Sequence, residues 1–102
     1  MILIVDDEEI NIKVTAKYLR EAGYGNFVTT FDDANAFSLI GKVRPDIILL
    51  DVMMPNVSGL EILEQVRDTT GLSQTPVLIL TASTDREIKV RALQAGATDF
   101  LA

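Results

Sequence analysis

The chain has 102 residues, with 9 Lys or Arg against 15 Asp or Glu, a net charge of −6 and a pI near 4.4; one domain is expected, and direct binding to nucleic acid is not. Neither Cys nor His occurs, which excludes disulfides, thiolate or imidazole metal sites and serine–histidine catalysis within this chain, so any metal must be held by oxygen, as magnesium, manganese or calcium are. Hydrophobic residues make up 48% of the chain but fall in short blocks, far below the roughly 18 residues of a membrane span. No charged, apolar, small-residue leader precedes the first block, so the expected compartment is the cytoplasm, with no membrane partner.

Taken in order, Ile2-Leu3-Ile4-Val5 is a β-branched block and a first strand. Glu8 to about Ala22 mixes Ile10, Ile12, Val14, Ala16 and Leu19 with charged residues, as a helix does, and Gly23 and Gly25 stop it. Phe27-Val28-Thr29-Thr30 is a second strand. Asp32 or Asp33 is a candidate cap for a helix running to about Ile40, with Gly41 as its end. Pro45-Asp46 precedes the most apolar run, Ile47-Ile48-Leu49-Leu50, and Asp51 follows directly. After a loop at 52–59, Ser58 or Gly59 starts a helix through roughly Asp68, with Leu60, Ile62, Leu63 and Val66 on its apolar side. Pro76 introduces Val77-Leu78-Ile79-Leu80; an amphipathic segment at 84–95 ends at Gly96; Thr98 to Ala102 is a short fifth strand. Strands alternating with helices predict βαβ units and a parallel sheet. The unbroken apolar strands predict burial on both faces, with right-handed crossovers placing helices on both sides.

Ligands of open parallel sheets bind beyond the carboxyl ends of the strands. Strand one ends in Asp6-Asp7, strand three in Asp51 and strand four in Thr81-Ala82. Each alone has an ordinary explanation. Acids favour a helix N-terminus, an aspartate suits a turn, and a threonine suits a cap or strand end. Together, if those three strands are neighbours, they gather three carboxylates and a hydroxyl in one cleft. Close carboxylates repel one another unless protonated or shared by a cation. Magnesium with retained waters suits such a site, and would leave one carboxylate to act as a nucleophile toward phosphorus.

From Ile2 to Ala102 the sequence resembles the receiver domains of bacterial two-component response regulators. The resemblance is carried by Ile2-Leu3-Ile4-Val5-Asp6-Asp7-Glu8, by Pro45 through Asp51, by Val52-Met53-Met54-Pro55 with Gly59, by Pro76 through Ala82, and by Ala95 through Leu101. It implies a flavodoxin-like, doubly wound α/β fold whose five parallel strands lie in the order 2-1-3-4-5; that order comes from the family. It also implies a signalling switch, not an enzyme with a separate substrate. Asp51 would accept a phosphoryl group from a histidine kinase or phosphotransfer protein. Asp6, Asp7, Asp51 and the backbone carbonyl of Met53 would hold Mg²⁺, with Mn²⁺ as a substitute, Asp6 acting through water. Thr81, beside Ala82, would meet the phosphoryl oxygens and Phe100 would change rotamer with it, altering the 84–102 surface offered to an output domain or downstream protein. Met53 and Ser83 match positions that tune the lifetime of the phosphorylated state; apolar Met53 cannot orient an attacking water, so slow loss of phosphate is expected.

One departure stands out. The family pattern places a lysine, usually followed by proline, one residue beyond Ala102, and then a fifth helix. No catalytic lysine is therefore expected in this chain. The expectation is a single receiver domain, 1–102, its last helix missing and one sheet face bare; a piece trimmed at its C-terminal side is favoured over a degenerate receiver, because every other site residue is present. Such a piece should self-associate, or be less stable than a version about 20 residues longer. A pseudo-receiver that binds partners without phosphate is the alternative function. A haloacid-dehalogenase-like phosphohydrolase needs an acid where Met53 stands, and a flavodoxin needs a Ser/Thr/Gly-rich loop where Asp6 and Asp7 stand.

Overall fold

Five short strands, three of them runs of β-branched and aliphatic residues, form one parallel sheet, ordered β2-β1-β3-β4-β5. In the computed structural model residues 1–51, 58–80 and 86–101 are described, Asp33, Phe100 and Leu101 by backbone alone. The elements are β1 (Ile2–Val5), α1 (Glu9–Glu21), β2 (Phe27–Thr30), a 3-10 turn (Asp33–Asn35), α2 (Ala36–Val43), β3 (Ile47–Asp51), α3 (Gly59–Asp68), β4 (Val77–Leu80), α4 (Arg86–Gln94) and β5 (Asp99–Leu101). The expected strand order is therefore observed, and every pairing is parallel.

Side chains alternate across the sheet, so each central strand feeds both faces. Leu3, Val5, Ile48, Leu50, Val77 and Ile79 point to one side, where they pack with Ala36 and Ile40 of α2, Ile62, Leu63 and Val66 of α3, and Ala92 of α4. Full burial of each large aliphatic here contributes about 1.5–3 kcal/mol. On the other side Ile4 and Leu49 pack with Ile12 of α1, and Ile2, Leu19, Phe27, Leu78 and Leu80 lie around them, half-buried. Among the described helices, only α1 contributes to that second cluster.

Local chemistry explains most helix ends. Ser58 caps α3, its Oγ accepting from the Leu60 N–H at 3.2 Å. Gly23 takes φ +94 just beyond α1, the left-handed region that glycine enters without a Cβ penalty. Around α2 the sequence expectation needs correction. Gly41 lies inside the helix, which runs on to Val43, and Arg44 takes the left-handed cap at φ 43. Pro45 decides the boundary, because the residue before proline avoids the right-handed helical region. At the start, the Asp32 carboxylate accepts from the Asn35 side-chain amide at 2.7 Å, and the N-cap of α2 is Asn35, without a side-chain cap bond.

Arg67, in the last turn of α3, reaches across to the base of the sheet. Its Nε donates to the Gly96 carbonyl at 2.8 Å and its Nη1 to the Thr75 carbonyl at 2.6 Å. Burial lowers the pKa of this guanidinium from its ordinary value. The chain closes against it so tightly that a Cβ on Gly96 (φ +110) would lie 2.9 Å from the Arg67 Cγ.

Candidate functional site

Register alone brings the acids together. Val5 pairs with Leu50 in the β1–β3 ladder, so Asp6 and Asp51, each the next residue, leave adjacent strands at the same level. Adjacent strands lie about 4.8 Å apart. Asp7 follows Asp6 before α1 begins. One carboxylate oxygen from each of Asp6, Asp7 and Asp51 lies within 4.8 Å of the other two. These are the three acids singled out from the sequence, and they share one pocket at the carboxyl edge of the sheet.

Their surroundings differ. Asp6 is only 3% exposed, while Asp7 and Asp51 are half-buried. The Asp6 backbone N–H donates to the Thr30 carbonyl at 3.1 Å, and its Oδ1 accepts from the Glu8 N–H at 3.0 Å. Asp6 is thus fixed by its own backbone and by Glu8, the N-cap of α1. That second bond was missed from sequence; an aspartate two residues before a helix-opening acid is its available signal, since Asx side chains bond the backbone two residues on. Asp7 Oδ1 is buried and has no hydrogen-bond partner among the described residues. A buried polar oxygen without a partner is costly, by about 1–3 kcal/mol and more for a charged group.

The arrangement suits a hard divalent cation. Opposite oxygens on an octahedral magnesium stand about 4.2 Å apart, twice the 2.0–2.1 Å bond. Carboxylate oxygens within 4.8 Å of one another are close to that spacing, so the three acids are placed to share one cation. The remaining site expectations fall outside the described residues: Met53 and its carbonyl, Thr81, Ala82, Ser83 and the side chain of Phe100. The β3–β4 register sets Asp51 opposite Leu80, the residue directly before Thr81 in sequence.

Known proteins resemble this chain along almost its whole length. Residues 2–102 match the response regulator receiver domain family. The probable transcriptional regulatory protein TcrX of Mycobacterium tuberculosis is 38% identical over 98% of the chain, which spans 42% of TcrX. The response regulator PleD of Caulobacter vibrioides is 37% identical over 98% of the chain, which spans 22% of PleD. Among solved structures, the Vibrio cholerae chemotaxis protein CheY4 superposes with a TM-score of 0.88 at 35% identity, covering 99% of this chain and 83% of that one. The chain thus spans less than half of these two curated relatives.

Proposed function

Because this chain belongs to the response regulator receiver domain family, a signalling domain of two-component systems and not a conventional enzyme, we propose that residues 1–102 act as one receiver domain in which Asp51 is the phosphoacceptor. The observation that carries this is the convergence of Asp6, Asp7 and Asp51, one buried oxygen of which has no partner among the described residues.

An Asp51 carboxylate oxygen attacks the phosphorus of a phosphohistidine on a kinase or phosphotransfer protein. The new P–O bond forms as the P–N bond breaks, and the leaving imidazole takes up a proton. Asp7 and Asp51 would hold Mg²⁺, or Mn²⁺ in its place, directly, with Asp6 acting through water and the backbone carbonyl of Met53 completing the protein's ligands. When bound, the cation offsets the charge of the carboxylates and of the incoming phosphoryl group. Asp6, locked by Thr30 and Glu8, keeps the pocket's shape whatever the state of Asp51. Small-molecule phosphoryl donors load the same residue, and the domain's own pocket supports its dephosphorylation.

Phosphorylation adds charge and strong acceptor oxygens. Thr81, with Ala82 beside it, moves toward them, Phe100 turns into the vacated space, and the 84–102 surface changes its preference for an output domain or downstream protein. The helices are too short and polar to cross a membrane among the described residues, and the cytoplasm is the compartment where a kinase would meet this domain. The thinly covered side of the sheet beside α1 supports self-association of the 102-residue chain.

Intact-mass measurement after acetyl phosphate and Mg²⁺ tests the acceptor. Wild type should gain one phosphoryl group and Asp51→Asn none. An adduct of equal yield in Asp51→Asn, or none in wild type, refutes the assignment.

A further inference from the structure

One edge of the sheet is β2, and its sequence is unusual for an edge. Edge strands commonly carry a lysine, a proline or an inward charge that discourages pairing with another chain. Residues 27–31 read Phe-Val-Thr-Thr-Phe, with none of these. Ile2 N–H donates to the Asn26 carbonyl and Asp6 N–H to the Thr30 carbonyl, each at 3.1 Å, so the even-numbered residues of β2 face β1. By the period of two, the backbone groups of Phe27, Thr29 and Phe31 face outward, along the open edge. Their side chains line a groove of about 440 Å³ beside α1, with Glu9, Lys13 and Arg20 on its other wall. Phe31 is 64% exposed.

We infer that this edge is the meeting surface of two copies of the chain, paired antiparallel across a two-fold axis at Thr29. Three features of the edge fit that occupant. The outward set Phe27-x-Thr29-x-Phe31 reads the same in both directions, so a two-fold axis at Thr29 sets Thr29 against Thr29 and each Phe27 against the other copy's Phe31. Aromatic cross-strand pairs of this kind are among the favourable ones. The exposed Phe31 thereby gains a cover. Charge matches as well. The Arg20 guanidinium stands over the Phe27 ring, 5.1 Å from its centroid. Because α1 returns antiparallel to β2, Glu9 lies toward the Phe31 end. Glu9 to Arg20 spans about 16 Å of helix, and Phe27 to Phe31 about 13 Å of strand. The two-fold axis therefore sets Glu9 of each copy near Arg20 of the other, giving two opposite-charge pairs. A closed isologous dimer results, with a continuous sheet of ten strands.

This is independent of the phosphoacceptor reading, since the carboxylates stand on β1 and β3. It also differs from association through the thinly covered sheet face, which is built from other residues. Sedimentation velocity over a concentration series should show a monomer–dimer equilibrium. Arg20→Glu should weaken the dimer about 10-fold, and Glu9→Arg added to Arg20→Glu should restore it. The chain has no cysteine, so Thr29→Cys is a clean probe. Hydrogen-bonded antiparallel partners lie about 5.5 Å apart at Cα, within disulfide range. Mild oxidation should cross-link Thr29→Cys and leave Ser38→Cys, on the exposed side of α2, uncross-linked. Circular dichroism confirms that each variant is folded. Monomers at every concentration overturn the inference. So does a dimer that ignores Arg20→Glu, or one that Leu78→Ser on the thinly covered face abolishes while Thr29→Cys fails to cross-link.

Discussion

At the scale of single residues, the site turns on one oxygen. Asp6 has a hydrogen bond from Glu8, whereas Asp7 Oδ1 is buried without a partner among the described residues. Replacing Asp7 by Asn removes the charge that a cation would meet and leaves the backbone unaltered. Asp7→Asn should weaken Mg²⁺ binding by about 10-fold or more, on the scale of losses seen around metal ligands. Isothermal titration with MgCl₂ checks this, and equal affinity for the two proteins would remove Asp7 from the ligand set. The three acids were legible in sequence because Asp6 and Asp51 each follow an apolar run directly and Asp7 is the next residue after Asp6, so topology and register determine where they meet. The anchoring of Arg67 was not legible. Its partners, the carbonyls of Gly96 and Thr75, are backbone atoms 29 and 8 residues away, and no side-chain pattern advertises a backbone acceptor. Gly96 was read only as a helix stop, whereas the structure gives it a second duty, making room for Arg67.

At the scale of elements, the contrast between α3 and α2 shows what sequence can specify. The start of α3 was readable because its signal is local: Ser58 at the N-cap, then Gly59, then Leu60, Ile62, Leu63 and Val66 in helical spacing. Removing that cap tests whether the local signal contributes as expected. Ser58→Ala should cost about 1 kcal/mol, read as a lower urea midpoint with an unchanged slope, and no change in midpoint would mean that solvent or neighbouring groups satisfy the first N–H groups equally well. The end of α2 was misread because two punctuation signals compete four residues apart. Glycine inside a helix costs only about 1 kcal/mol relative to alanine. Ile40, fully buried, and half-buried Val43 hold the last turn against the core. Pro45 gives no such latitude, so the helix passes Gly41 and ends at Val43, with Arg44 as its left-handed cap. The sheet was legible throughout, since its strands are short apolar runs; their order came from the family resemblance, because nothing in a parallel strand's composition names its neighbour.

At the scale of the whole molecule, the sheet is covered unevenly. Among the described residues, thirteen are buried in the cluster beneath α2, α3 and α4, but three in the cluster beneath α1. Yet the radius of gyration, 12.5 Å, is close to the about 13 Å of a closed domain of this length. The thinly covered side is therefore a feature of an otherwise condensed body and does not reflect a loosened core. Its centre is an apolar hollow of about 620 Å³, lined by residues that include Ile2, Leu19, Ile47, Leu49 and Leu78. Exposed apolar surface of this kind binds hydrophobic dyes, as molten globules do, but the two cases separate by cooperativity. The 102-residue chain should bind anilinonaphthalene sulfonate while retaining a single cooperative unfolding transition. Leu78→Ser, in the floor of the hollow, should lower dye binding severalfold and leave the far-UV spectrum unchanged. Strong binding with a gradual transition would mean that the core itself is fluid. Absence of binding would mean that the side chains around Leu49 and Leu78 close over the hollow in solution, leaving the β2 edge as the surface through which two copies would meet.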